Sequence, residues 1–189
     1  QKYKKFLDPS TIDMLFRSAP LHDIGKVGVA DRILLHPGKL SPEDFDTMKK
    51  HTVYGYETLL KAQHLLQDEQ GHSFLRIAAE IAHSHHEKWN GSGYPRGLRG
   101  EDIPLAGRLM ALADVYDALV SARRYKRPCT HKEARQVIEK GSGSHFDPEV
   151  VEAFVAVEAK FQEIAQRFSD DTAPGQLHRE PLPLSAQTS

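Results

Sequence analysis

Apolar residues recur at helical intervals along this chain, and the stripes run into its chemically active side chains. Ile12, Leu15, Phe16 and Ala19 form one stripe that leads straight to His22 and Asp23. Phe74, Ile77, Ala78, Ile81 and Ala82 form another, and a step of four from Ile81 puts His85 on the same face. Leu105 to Ser121 is apolar nearly all round. Asp114 and Asp117 therefore lie in or beside a buried helix, where an unpaired carboxylate is expensive and a cation is a natural partner. No segment carries a convincing strand pattern, so the expected fold is an all-α bundle whose facing helices aim polar side chains into a shared interior.

The chemistry gathers in three pieces: His22-Asp23-Ile24-Gly25-Lys26, His85-His86-Glu87 and Gly93-Tyr94-Pro95, with His51 and Asp114 as isolated partners. Neutral imidazoles and carboxylates suit a borderline divalent cation, and adjacent His-Asp and His-His pairs let one backbone segment serve neighbouring ions. Taken singly, each residue has a plainer explanation. A lone His on an apolar face is more often a hydrogen-bonded core residue, and Lys26 could simply neutralise a helix C-terminus. The ordered set is what carries the metal reading. His83 falls off its stripe, and His36, His64, His72, His131, His145 and His178 lie in or near polar segments, so all are read as solvated or structural.

Local signals place the elements. Asp8 to Lys26 reads as one helix, kinked where Pro20 removes a backbone donor. Ser41 as N-cap, Pro42 in the first turn and Glu43 and Asp44 at the positive end start at least one helix in the stretch Lys39 to Gln67, which delivers His51. Trp89 to Pro104 is a Gly- and Pro-rich loop, longer than ordinary connections and so expected to be functional. Thr130 and Glu133 form a capping-box pattern, and Asp147-Pro148 opens a last helix bearing Val150, Val151, Phe154, Val157 and Phe161. Beyond Phe168 the chain turns polar. We expect one domain over 1–168 and a disordered tail over 169–189.

A length of 189 residues at 39% apolar content supports one buried core. The net charge of -1 supplies no general field for DNA or a membrane surface, so an anionic ligand has to be held by a local cluster. Arg123, Arg124, Lys126 and Arg127, just past the Asp114 helix, form such a cluster, whereas Arg96, Arg99 and Arg108 are assigned no role. Cys129 is the only cysteine, which excludes an internal disulfide and suits a cytoplasmic setting; no apolar run is long enough to cross a bilayer. Gln1 opens the chain without an initiator Met, as expected of a piece of a longer protein.

In this order the residues resemble the HD-GYP family, a branch of the HD metal-dependent phosphohydrolases that hydrolyses cyclic di-GMP. The resemblance spans Leu21 to Val155. It rests on His22-Asp23 with Lys26, His51 with Gly55, His85-His86-Glu87, Trp89, Gly91, Gly93-Tyr94-Pro95, Gly97-Leu98 and Ala113-Asp114-Val115-Tyr116-Asp117-Ala118-Leu119. It implies an HD-superfamily helical bundle with a long Gly-Tyr-Pro loop. It makes His22, Asp23, His51, His85, His86 and Asp114 ligands of two divalent ions, iron or manganese first, with Asp23 bridging them. Lys26 is expected beside the reacting phosphate, Tyr94 facing the ligand, and Arg123 and Lys126 on phosphate oxygens.

The implied activity is hydrolysis of cyclic di-GMP to pGpG, with further cleavage to GMP open. The implied setting is the output domain of a bacterial two-component response regulator, with a receiver domain upstream and diguanylate cyclase (GGDEF) domains as protein partners. Two departures matter. The family draws a further His from a helix upstream of the His-Asp pair, and Gln1 to Leu21 contains none. Ser121-Ala122-Arg123-Arg124-Tyr125-Lys126 lacks the Asp and Pro that usually flank the first Arg. A module that binds the nucleotide or a protein without cleaving it is the alternative. A di-iron oxygenase is disfavoured because it has no use for Arg123 and Lys126.

Overall fold

In the computed structural model, which describes Tyr3 and residues 6–66, 74–121 and 127–169, the chain is helical. Among the described residues β-pairing is confined to two isolated bridges, Asn90 with Arg99 and Ser142 with Phe146. The α-helices are α1 (Pro9–Ser18), α2 (Asp31–Leu34), α3 (Pro42–Lys49), α4 (His51–Leu65), α5 (Phe74–Ser84), α6 (Leu105–Val120), α7 (His131–Lys140) and α8 (Pro148–Ser169). The expected all-α architecture is thus observed.

Caps explain where several helices begin. Asp8 accepts from the backbone N–H groups of Ser10 and Thr11 at 2.8 and 3.0 Å, and Ser41 Oγ accepts from Asp44 N at 3.1 Å. Thr130 and Glu133 complete the reciprocal capping box of α7. The stretch Lys39 to Gln67 yields two helices, and His51 is the first residue of the second. Helix α8 bends at Val157, whose backbone (φ -123°, ψ 15°) is non-helical. Of the expected tail over 169–189, Ser169 closes α8 and the rest lies outside the described residues.

One helix differs from its sequence reading. The stretch expected to run from Asp8 to Lys26 with a kink instead stops at Ser18 and continues as two tight 3-10 turns, Ala19–Leu21 and Ile24–Gly28. Pro20 supplies no N–H and its ring crowds the carbonyl four residues back, so the α-ladder ends and i to i+3 bonds take over. Asp23 falls between the turns with φ -102° and ψ 8°, the bridge region where active-site residues are often found. The stripe on α1 is also only partly buried. Phe16 is 80% exposed and Ile12 52%, because α1 packs on α5 through its Ser18 side, where Ser18 Oγ donates to the Phe74 carbonyl at 2.7 Å.

Two apolar clusters hold the elements. Leu59 of α4 packs with Leu75, Ala78, Ala79 and Ala82 of α5, and Leu105, Leu112 and Tyr116 of α6 pack with Ala134, Ile138, Phe146, Val150, Val151 and Phe154. Helix α5 contacts both α4 and α6. The second 3-10 turn is pressed onto the start of α4 so closely that a Cβ on Gly25 would overlap the His51 carbonyl oxygen and Gly55 N. Only glycine permits that approach, and it sets Asp23 beside His51.

Arg108, given no role from sequence, is buried on α6. Its Nη1 donates to Asp147 Oδ2 at 2.7 Å and to Tyr3 Oη at 2.9 Å, while Asp147 Oδ1 accepts from Glu149 N in the first turn of α8. Removing one partner strands the other charge in the interior. Asp147→Ala is expected to lower unfolding free energy in urea by about 3–5 kcal/mol, and the double variant Arg108→Met/Asp147→Ala to recover much of that loss.

Candidate metal centre

Four elements converge on the carboxylate of Asp23. His51 Nε2, from the start of α4, lies 3.4 Å from Asp23 Oδ1, and His85 Nε2, just past α5, lies 3.8 Å from the same oxygen. On the other oxygen, Oδ2, His22 Nε2 sits at 3.3 Å and Lys26 Nζ at 2.5 Å. Asp114 of α6 brings its Oδ1 to 3.8 Å from His22 Nε2. One donor atom from each of Asp23, His51, His85 and His86 lies within 4.8 Å of all the others. The two oxygens of Asp23 therefore serve two different sets of side chains.

The imidazoles are oriented by their own backbone. Nδ1–H of His22 donates to the Ala19 carbonyl at 2.9 Å, that of His51 to Met48 at 2.8 Å, and that of His85 to Ile81 and Ala82 at 3.0 and 3.1 Å. For His51 and His85 this fixes the tautomer and leaves the Nε2 lone pair facing Asp23, whereas at His22 burial is outweighed by hydrogen bonds to Asp23 and Ala19, which raise its pKa. Three buried atoms, Asp23 Oδ1, His51 Nε2 and His85 Nε2, then have no hydrogen-bond partner among the described residues. Leaving them so costs about 1–3 kcal/mol each. All three are acceptors, which another imidazole cannot satisfy but a cation can, so the donor set fits a divalent transition metal.

Protonation states agree with that fit. Burial, with help from the neighbouring charge of His22, pulls His85 down to about 4, and burial together with His85 and His51 pulls His86 to about 2. Burial also lowers His51. Asp23 goes the other way: burial would raise it, but donation from His22 and Lys26 prevails and holds its carboxyl well below the usual range. At neutral pH His51, His85 and His86 are thus neutral donors beside the ionised Asp23 carboxylate.

The Gly-Tyr-Pro loop is built onto the same segment. The Glu87 carboxylate, 2% exposed, accepts from the N–H groups of Arg96 at 2.8 Å and Leu98 at 3.0 Å. Gly93 lies so near the backbone of Glu87 and Lys88 that any Cβ would overlap it. Trp89 and Asn90 donate to the carbonyls of His145 and Ser144, tying the loop to the turn before α8. Tyr94 consequently lies over His86, ring centroids 4.8 Å apart, and burial with the charges of Asp23 and Asp114 pushes its hydroxyl pKa up. A cavity of about 570 Å3 opens beside the cluster, lined by His22, Asp23, Lys26, His86, Asp114 and the outer face of α6 including Ala118.

The structure thus brings His22, Asp23, Lys26, His51, His85, His86 and Asp114 together and sets Tyr94 at their edge. Asp117 is exposed and accepts from Ser121 Oγ. Arg123 and Lys126 lie outside the described residues. His83 stands apart, stacked on Tyr56 at 4.2 Å. The role of Glu87 as loop anchor escaped the sequence reading; its place directly after the His pair and before a glycine-rich loop was the available signal.

The chain matches the HD domain family over residues 4–150. A cyclic di-GMP phosphodiesterase of Vibrio cholerae is 57% identical over 169 residues, covering 89% of this chain and 34% of that protein. A cyclic di-GMP phosphodiesterase response regulator of Xanthomonas campestris is 41% identical over 170 residues, 89% of this chain and 43% of that protein. This chain therefore spans less than half the length of these curated relatives. In fold it is like the crystal structure of a cyclic GMP-AMP-specific phosphodiesterase of Vibrio cholerae, with TM-score 0.50 and 24% identity over 89% of this chain and 42% of that one.

If the converging atoms hold an ion, His51→Ala should weaken manganese binding by at least about 10–100-fold, measured by metal titration with elemental analysis. His83→Ala, on the far side of α5, should leave metal content at the wild-type level.

Proposed function

Because this chain belongs to the HD-domain family, in its HD-GYP branch, we propose that it is a metal-dependent phosphodiesterase domain acting on cyclic di-GMP. One observation carries the reading: Asp23 Oδ1, His51 Nε2 and His85 Nε2 are buried, partnerless and turned toward one another beside a cavity large enough to admit a phosphodiester. His22, Asp23, His51, His85, His86 and Asp114 would hold the metal, and because the two oxygens of Asp23 face different side chains, Asp23 would contribute to both ions of a two-ion site. A nitrogen-rich set completed by carboxylates suits iron or manganese. A divalent ion bound there supplies Lewis-acid polarisation of a phosphoryl oxygen and lowers the pKa of water.

The residues of the chain do the rest. Lys26 Nζ, beside Asp23 Oδ2 and 40% exposed, is turned toward the cavity and can neutralise charge that builds on phosphate oxygens. The Tyr94 phenol, its pKa raised, stays protonated and donates to a bound ligand. Arg123 and Lys126 are proposed to hold the phosphate not being cleaved, since they follow α6, whose outer face lines the cavity. The products we propose are pGpG and, by a second cleavage, GMP.

The response-regulator setting, with an upstream receiver domain, is supported by the name of the Xanthomonas relative. GGDEF domains as partners rest on the family resemblance. Among the described residues no helix is long and apolar enough to cross a membrane, in keeping with a proposed cytoplasmic location. The second reading, a binding module that does not cleave, is favoured by the thinner donor set on the Oδ2 side of Asp23, where among the described residues His22, with Asp114 behind it, is the neighbouring metal-type donor.

Asp23→Asn separates the two. It keeps shape but removes the charge shared by both donor sets, and in anaerobic protein supplied with iron or manganese it should lose metal and at least about 100-fold in cyclic di-GMP turnover. Wild-type protein that binds cyclic di-GMP tightly without hydrolysing it, matched in affinity by Asp23→Asn, would establish the binding module instead.

A further inference from the structure

We propose that Phe45 and Lys49 of α3, together with Tyr94, form a base-binding subsite that takes a purine of the substrate and favours guanine; this rests on the cyclic dinucleotide reading above. Helix α3 has no buried residue, yet it carries an aromatic ring, Phe45, left 46% exposed. That ring does not fill a core. It meets Tyr94 edge to face, centroids 6.2 Å apart and planes at 82°. Tyr94 in turn lies over His86 at 4.8 Å, and His86 over His85 at 4.0 Å. A row of rings therefore leads outward from the Asp23 cluster and ends on an exposed aromatic surface.

Lys49 completes the corner. Its Nζ stands 5.3 Å from the Phe45 ring centroid and 5.9 Å from that of Tyr94. The first contact is between helix neighbours, but the second joins α3 to the Gly-Tyr-Pro loop, so the ammonium marks where the two elements meet. Asp46 Oδ1, 2.5 Å away, holds it from the exposed side, and a pair that exposed is readily exchanged for a ligand.

The chemistry of such a corner is selective. An exposed aromatic face accepts any base by stacking, because every base has a π-face. A lysine beside it can donate to both O6 and N7 of guanine, whereas adenine offers N7 and a competing N6 donor. With a phosphodiester at the Asp23 cluster, the attached nucleoside extends along the ring row, its base on Phe45 and its acceptor edge toward Lys49.

The test uses the full chain loaded with manganese. Binding is read by calorimetry with a phosphorothioate analogue of cyclic di-GMP, and turnover as the ratio of kcat/KM for cyclic di-GMP to that for methyl p-nitrophenyl phosphate, a diester without a base. Phe45→Leu, which keeps apolar bulk but removes the ring, should weaken binding and lower the ratio about tenfold, and Phe45→Trp should restore both. Lys49→Met should reduce the preference for cyclic di-GMP over cyclic di-AMP by about fivefold or more. Binding and ratio within twofold of wild type in Phe45→Leu would overturn the subsite while leaving the phosphodiesterase reading intact. Wild-type protein that cuts the small diester but neither binds nor cuts cyclic di-GMP would overturn the substrate class, and the subsite with it.

Discussion

A single partly buried carboxylate, that of Asp23, sets the terms for the rest of this protein. A charge withdrawn from water is costly unless opposite charge and hydrogen bonds meet it, and Asp23 has Lys26 and His22 on one oxygen only. Its other oxygen faces imidazole nitrogens whose protons are committed to backbone carbonyls on the far side of each ring. The arrangement is unfavourable in isolation. It persists because the packed helices over-determine it: Gly25 is locked against the backbone of His51, and His85 leaves a helix buried along Ala78, Ile81 and Ala82. Stability generated by apolar packing is thereby held as a preorganised, electron-rich site, the condition under which a cation binds without having to reorganise its ligands.

Most of this was legible from residue order, and the parts that were not share a cause. Helical stripes and caps are local signals, so α3, α5, α6 and α7 could be anticipated, as could the convergence of His51 and Asp114. The ending of α1 at Ser18 depended on how completely Pro20 would break the ladder, which periodicity alone does not report, since a kink and a stop leave the same pattern of apolar residues. The exposure of Phe16 depended on which side of α1 would meet α5, and a buried Ser18 gives no apolar signal. Arg108 with Asp147 was invisible because the partners sit on α6 and at the start of α8, and only the fold pairs them.

Glu87 shows the same limit closer to the chemistry. Read as part of His85-His86-Glu87, it looks like another donor for a cation, the residue type and position being right for that. Instead its carboxylate is spent on the amides of Arg96 and Leu98, and so carries no free oxygen toward Asp23. Three consecutive residues thus divide the work: His85 and His86 face the cluster, and Glu87 turns to hold the loop that brings Tyr94 back over His86. A sequence motif records that residues act together, but not the direction in which each one points.

The same division appears along α6. Arg108, near its start, is drawn into the interior by Asp147, while Asp114, six residues on, reaches His22 and the cavity. An α-helix turns 3.6 residues at a time, so six residues place the two side chains on different faces and about 9 Å apart along the axis. The buried ion pair therefore fixes the rotation of α6 about its axis, and with it the heading of Asp114. Since Asp147 also caps the first turn of α8 and Trp89 is bonded to the carbonyl of His145, two residues before it, the same short turn steadies both the helix that bears the last carboxylate and the loop that bears Tyr94. Packing at Gly25 and along α5 is thus joined by a charge pair remote from the Asp23 cluster, and a change confined to that turn would reach the cluster through both routes at once.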